Sequence, residues 1–126
     1  MPLDQTNFPN HHALEGLNKV RSLIGREDQW CKQQLQSHDG RRCMLGAMLE
    51  AGAAVELKDP IMKAIKQVTG RPFIRIEMFN DHPLTTHALV LRVLDRAETN
   101  IILGDYAPAL PGARRWYHRL FRMVPA

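Results

Sequence analysis

The side chains best suited to chemistry lie between positions 31 and 43. Cys31, His38, Asp39 and Cys43 form the densest group of metal-ligating and nucleophilic residues in the chain. Their spacing, C-x6-H-x4-C, differs from the common zinc patterns, and a closed structural zinc site needs four ligands. A Cys–His nucleophile pair is a second interpretation. We favour neither, because free cysteines in apolar runs are usually buried and inert, and residues 37–40 have turn chemistry. The sequence therefore predicts no catalytic residue, no metal and no cofactor.

A second candidate is the segment Phe79, Asn80, Asp81 and His82, which precedes a predicted helix. An aromatic ring beside polar groups can receive a small ligand, and a helix N-terminus offers N–H donors to an anion. The competing interpretation is structural, because Asn and Asp commonly bond their own backbone in turns. We favour the structural interpretation, and we expect any small-ligand site of this chain to lie at these four residues.

The C-terminal segment is the most distinctive stretch, and it predicts a basic amphipathic helix over residues 113–124. As a helix it places apolar and aromatic side chains on one side and arginines on another. Such a helix can contact an acidic protein partner or a second copy of the chain, or nucleic-acid phosphates. It can also dock on the body by its apolar face, whereas about 11 residues are short for a membrane surface. The candidate binding residues are Arg114, Arg115, Trp116, Tyr117, Arg119 and Arg122.

Composition and charge narrow the class of protein. The 126 residues suit one domain, 1–126, and 44% apolar with 24% charged residues is ordinary for a globular fold. The net charge of +4 comes from 17 basic and 13 acidic residues, and the four C-terminal arginines carry the whole excess. A neutral body argues against a broad nucleic-acid-binding face. The sequence shows no signal peptide or membrane span and only two cysteines, so we expect a soluble cytoplasmic protein without a lasting Cys31–Cys43 disulfide.

Apolar periodicity and capping residues predict a mainly α fold, a compact orthogonal bundle of five or six short helices. Asn10 is a candidate cap for the first helix, which ends near Gly25, and the third is apolar nearly all round. Asp59 with Pro60 is a typical helix start, and Gly70 a typical stop. Thr85 or Thr86 is expected to cap the fifth helix. The predicted ranges are 10–25, 28–36, 43–55, 59–70, 85–98 and 113–124.

Residues 73–79 are ambiguous between a strand, a short helix and an extended link. Ile74, Ile76 and Met78 alternate with Arg75 and Glu77, a pattern that favours a strand. A lone strand needs a partner, and residues 101–103 offer one. A minor two-stranded ribbon, 73–79 with 101–103, is therefore the alternative detail of the predicted fold.

Several local patterns stand out together: Trp30-Cys31, Cys43-Met44-Leu45-Gly46-Ala47, Phe79-Asn80-Asp81 and Asp95-Arg96-Ala97. As a set they resemble a family of small bacterial and phage proteins catalogued as a domain of unknown function. The resemblance spans residues 13–98 and departs from the family's pattern at Phe79, where tryptophan is expected, and in the lack of an acid three residues after the helix cap. It implies a shared fold and brings no known activity.

The sequence thus favours a non-enzymatic interaction protein, a small adaptor or inhibitor that acts through its basic C-terminal helix. The alternative is a nucleic-acid-binding accessory protein whose C-terminal arginines contact phosphates.

Overall fold

The structure, a computed structural model, describes residues 10–104. In this part of the chain it contains five α-helices and one 3-10 helix, and no strand. The helices are α1 (His11–Ile24), α2 (Met44–Glu50), α3 (Ala54–Thr69), α4 (Ile76–Asn80) and α5 (His87–Leu103), with the 3-10 helix at Glu27–Gln29. The mainly α prediction is confirmed. No helix in the described range is long and apolar enough to cross a membrane.

The long helices α3 and α5 pack along each other, and α1 and α2 close the core beside them. Each helix contributes apolar side chains at three- and four-residue spacing, so that one face is buried. Leu17, Leu57, Ile61, Leu94 and Ile101 are completely buried in this core. The short α4 lies against α2 and α3 and adds Phe79.

The first helix begins where the sequence predicts, but its expected cap acts differently. The Asn10 side chain makes no capping hydrogen bond. Its Nδ2 instead donates to the carbonyl oxygen of Ile101, 2.9 Å away. Asn10 therefore ties the start of α1 to the end of α5.

The predicted helix over residues 28–36 is wrong beyond the 3-10 turn at its start. The backbone of this segment bonds across to residues 41–43: Arg42 N–H donates to Gln29 O (2.8 Å), and Cys31 N–H donates to Arg42 O (3.1 Å). Isolated bridges join Trp30 and Gln36 to Arg42. Pairing with a neighbouring segment replaces the local helical hydrogen bonds.

The predicted boundaries between the third and fourth helices are also wrong. Gly52 has a φ of +70°, a left-handed conformation that ends α2 and that glycine adopts without strain. Helix α3 then begins at Ala54 and includes Pro60, although an interior proline costs about 3 kcal/mol of helix propensity. Burial of Leu57 and Pro60 offsets that cost. Gly70 ends α3 with a φ of +74°, as predicted.

The ribbon of 73–79 with 101–103 does not form. Residues 76–80 are helix α4, and residues 101–103 are the last turn of α5. Ile101 is fully buried on the core face of α5, so the apolar pattern continues the helix beyond the predicted end near 98. Thr86 caps this helix, because its Oγ1 accepts from Leu89 N–H at 3.2 Å.

Candidate functional site

The predicted ligand segment lies at the end of α4, and its four residues have different environments. Phe79 is completely buried and packs edge-on against Phe73, with ring centroids 5.7 Å apart. Its carbonyl oxygen accepts a hydrogen bond from Thr85 Oγ1 at 2.7 Å. The Phe79 ring is therefore part of the core, and its backbone holds the turn that leads into α5.

Asn80 is completely buried and joins three separate parts of the chain. Its Oδ1 accepts from Trp30 Nε1 at 2.7 Å and from Met44 N–H at 3.0 Å. Its Nδ2 donates to Cys31 O at 3.1 Å and to Asp81 Oδ1 at 3.0 Å. We call these five residues, Trp30, Cys31, Met44, Asn80 and Asp81, the Asn80 hub. All four hydrogen-bonding positions of the amide are used within the protein.

Residues 32 and 33 add further bonds around the hub. Asp81 Oδ1 also accepts from Gln33 N–H at 2.7 Å, and Gln33 has a φ of +70°. Lys32 Nζ donates to His82 O at 2.8 Å and lies 5.7 Å from the centre of the Trp30 ring. These bonds hold the non-helical segment after the 3-10 helix against the end of α4.

The two histidines near this corner differ in burial. His87 is buried, and its Nε2 lies 2.7 Å from Ile24 O, so this nitrogen carries the proton and donates. Its ring lies 5.8 Å from that of Trp30. His82 is half-buried, and its Nδ1 accepts from Leu84 N–H at 3.1 Å. The other ring nitrogen of His82, Nε2, lies 3.3 Å from Arg71 Nη1.

Both cysteines are free thiols with structural contacts. Cys43 is buried and caps α2, where its Sγ accepts from Gly46 N–H at 3.2 Å. Cys31 Sγ lies 3.5 Å from Arg41 O, within reach of a weak S–H donor. Burial raises the pKa of both thiols, and the proximity of Cys43 raises the pKa of Cys31 further. Protonated thiols are weak nucleophiles and weak metal ligands.

The other two members of the cysteine-rich stretch point to solvent. His38 and Asp39 are exposed, and Asp39 forms an ion pair with Arg41 at 3.1 Å. A hydrogen bond from Ser37 and the charge of Arg41 lower the pKa of the Asp39 carboxyl. Within residues 10–104, no three or more His, Cys, Asp or Glu side chains are arranged to hold a metal ion.

A groove lined by apolar and charged side chains lies between α2, α3 and residues 74–77. Its volume is about 750 Å³, within the roughly 300–1,000 Å³ typical of ligand pockets. Met48 and Ile76 are buried in its floor, and Val55 and Ile74 stand on its rim with 85% and 81% of their surface exposed. We call it the α2–α3 groove. Its residues are Leu45, Met48, Ala54, Val55, Lys58, Asp59, Met62, Ile74, Arg75, Ile76 and Glu77.

Sequence reasoning missed this groove, although it contained two signals. Val55 ends the apolar run of a predicted helix that is apolar nearly all round, and Ile74 belongs to an apolar alternation whose candidate strand partner, residues 101–103, is helical in the structure. Both observations indicate apolar side chains that lie outside the core.

The predicted C-terminal binding helix, over residues 113–124, lies outside the described residues. So do its candidate binding residues, Arg114, Arg115, Trp116, Tyr117, Arg119 and Arg122.

A protein-family model described as a family of unknown function, DUF6197, matches residues 9–100. The chain belongs to this family. The match covers most of the described fold, from the start of α1 to the last turns of α5, and includes the Asn80 hub and the α2–α3 groove. No curated protein matches the chain, and no solved structure matches it. Membership in DUF6197 confirms the expected resemblance to a family of unknown function and assigns no activity.

Proposed function

We propose that this chain is a non-enzymatic interaction protein, a small adaptor or inhibitor, that binds an amphipathic helix of a partner protein in the α2–α3 groove. The groove carries the proposal, because it combines a concave surface beside packed helices with the highly exposed apolar side chains of Val55 and Ile74. Helix-in-groove binding uses such surfaces, with apolar anchors at i, i+3 or i+4 and i+7 in the partner helix.

The lining of the groove favours a helix over a small polar ligand. The floor is apolar, and its methionines, Met48 and Met62, are unbranched side chains that adapt to differently shaped partners. Val55 begins the wall formed by α3 and Ile74 stands on the opposite rim. Burial of each of these exposed side chains favours binding by roughly 1.5–3 kcal/mol.

The rim charges limit the partner further. Lys58 and Arg75 are basic, whereas Asp59 and Glu77 are acidic, so the groove carries both signs. We therefore propose a partner helix with an apolar face flanked by charges of both signs. The C-terminal arginines, beginning at Arg114, would then provide a second contact to acidic residues of the same partner or of a second copy. We place this interaction in the cytoplasm of a bacterial cell, as that of a bacterial or a phage protein, in keeping with the family resemblance.

Selection of helical peptides on the full chain tests the proposal directly. A displayed library of random 16-residue peptides is selected on immobilised protein, and individual peptides are titrated by fluorescence anisotropy. We expect peptides with apolar residues at helical spacing. The double variant Val55→Ser/Ile74→Ser is expected to weaken their binding at least tenfold, whereas the control Ile102→Ser, on the exposed side of α5, leaves it unchanged.

Two results would contradict helix binding in the groove. One is a library that yields no peptide with helical apolar spacing. The other is a set of peptides that bind the double variant as tightly as the native chain. Circular dichroism shows whether each variant is folded, and we expect both to be, because substitutions of exposed side chains change stability by about 0.5 kcal/mol or less.

Nucleic-acid binding is the alternative function, and a salt titration separates it from peptide binding. Labelled duplex DNA and RNA are titrated with the full chain and with a chain that ends at Pro111. Four arginine–phosphate contacts predict a log–log salt slope of about −3.6, or roughly 150-fold weaker binding between 50 and 200 mM salt. If nucleic-acid binding weakens with salt and is lost on truncation, the C-terminal segment, and not the groove, is the main functional surface.

A further inference from the structure

A second, smaller pocket lies between the end of α3, the end of α4 and the start of α5. Its volume is about 220 Å³. Apolar side chains form most of its wall, including Phe73, Leu84 and Leu89, and Arg71 and His82 stand at its edge. Leu84 is 77% exposed, so the pocket is open to solvent on that side.

The hydrogen bonds of His82 determine which of its ring nitrogens carries the proton. Leu84 N–H donates to Nδ1 at 3.1 Å, and a backbone N–H is always a donor. Nδ1 is therefore unprotonated, and the proton of the neutral ring is on Nε2. Arg71 Nη1 lies 3.3 Å from this Nε2. A guanidinium group has donors and no acceptor, so two N–H groups meet at this point without an acceptor between them.

The surrounding contacts keep both donors in place. The Arg71 guanidinium lies over the Phe73 ring, 5.6 Å from its centre, and the His82 ring is edge-on to the same ring at 5.8 Å. Lys32 Nζ, bonded to His82 O at 2.8 Å, adds a second positive charge close by. The nearest acid in sequence, Asp81, accepts from Gln33 N–H and Asn80 Nδ2 through Oδ1. The pocket edge therefore presents paired donors and an excess of positive charge.

We propose that this pocket binds a small organic carboxylate, with its oxygens accepting from Arg71 and His82 Nε2–H and its apolar body against Leu84 and Leu89. A carboxylate supplies the acceptor that the two facing donors lack, and charge-assisted bonds to arginine are the strong class of hydrogen bond. The apolar wall selects a ligand with a hydrocarbon body over a free inorganic ion. This site is separate from the α2–α3 groove and does not depend on the proposed helix binding.

The first test is the tautomer of His82 in the full-length protein. Long-range ¹H–¹⁵N correlation spectra distinguish a protonated Nε2 from a protonated Nδ1 in the neutral ring. We expect the proton on Nε2. A proton on Nδ1 would overturn the proposal, because Nε2 would then accept from Arg71 and the pocket edge would no longer present two facing donors.

The second test is a titration with phenylacetate, followed by chemical shifts of the full chain. We expect the side-chain signals of Arg71 and His82 to shift with saturation. Phenylacetamide, acetate and inorganic phosphate separate the contributions of the charge and of the apolar body. Each is expected to bind at least about tenfold more weakly than phenylacetate. Equal binding of the uncharged amide, or of acetate or phosphate, would overturn the proposal, as would the absence of a shift with phenylacetate.

Substitutions then locate the binding. Arg71→Gln and His82→Asn are expected to weaken phenylacetate binding at least about tenfold, because each removes one of the two donors. Asparagine places an acceptor near the position of Nδ1 and so can keep the bond from Leu84 N–H. The control Arg92→Gln removes an exposed arginine of α5 outside the pocket and leaves binding unchanged. Native-like binding by both site variants would exclude this pocket as the site.

Discussion

Replacement of Asn80 by alanine is expected to cost a large part of the stability of this domain. The substitution leaves the Trp30 Nε1–H and the Met44 N–H without their acceptor, and Met44 is completely buried. An unsatisfied buried polar group costs about 1–3 kcal/mol. Two such donors predict a loss of about 4 kcal/mol, before the lost donor to Cys31 O is considered. Native domains are stable by only about 5–15 kcal/mol in total.

Urea denaturation followed by far-ultraviolet circular dichroism measures this loss. With a slope of about 2 kcal/mol per molar urea, typical of small domains, the midpoint should fall by about 2 M. Asn10→Ala is the matched control, because Asn10 is only half-buried and, within residues 10–104, its side chain makes one hydrogen bond, to Ile101 O. We expect that control to lose about 1 kcal/mol.

A double-mutant cycle separates the hydrogen bond from the packing of Asn80. Trp30→Phe removes the indole N–H and keeps an aromatic ring in the same place. In that background Asn80→Ala leaves one donor unsatisfied instead of two, so its cost should fall by about 1–2 kcal/mol. Additive losses, or a loss below about 1 kcal/mol for Asn80→Ala alone, would refute the account of Asn80 as the polar centre of this corner.

Two further predictions concern the residues next to the hub. Gly46→Ala is expected to destabilise the domain by about 1–3 kcal/mol in the same urea assay, because its Cβ would collide with the backbone oxygen of Leu35; a stability at or above that of the native chain would contradict this packing. Cys31 is expected to react with iodoacetamide more slowly than free cysteine, and Cys43 to stay unmodified until the chain unfolds, as peptide mapping can show. Because the pKa of both thiols is raised, they stay protonated at a pH where the unfolded chain ionises, so stability should fall as the pH rises through the ordinary thiol pKa. A Cys31 rate equal to that of free cysteine would contradict the raised pKa.

Local signals in the sequence predicted the ends of elements best where one residue determines the end. Gly70 and Thr86 act as expected, because a left-handed stop and a hydroxyl cap are decided by the residue itself. The same reasoning failed at Pro60, where a typical helix start lies inside α3. The burial of Leu57 before it depends on α1 and α5, which local propensity does not include.

The candidate site was less predictable, because it depends on contacts between distant residues. Residues 79 and 80 end α4 and residues 81 and 82 follow it, but the partners of Asn80 lie 36 to 50 positions away along the chain. No periodicity or capping rule predicts such a bond. The position of Arg71 beside His82 likewise depends on how α3 ends and α4 begins, across a segment whose secondary structure the sequence left ambiguous.

The patterns that resembled a family of unknown function now have a physical meaning. Trp30-Cys31, the start of Cys43-Met44-Leu45-Gly46-Ala47 and Phe79-Asn80-Asp81 meet in the Asn80 hub, where they exchange hydrogen bonds and exclude solvent from Asn80 and Met44. The residues of these patterns therefore have structural roles, which hold one corner of the fold together. The side chains that carry the two binding proposals, Val55 and Ile74 on the groove and Arg71 with His82 at the small pocket, lie outside those patterns. Membership in DUF6197 assigns no activity, so the binding properties of this chain are inferred from its own residues at the groove and at the small pocket.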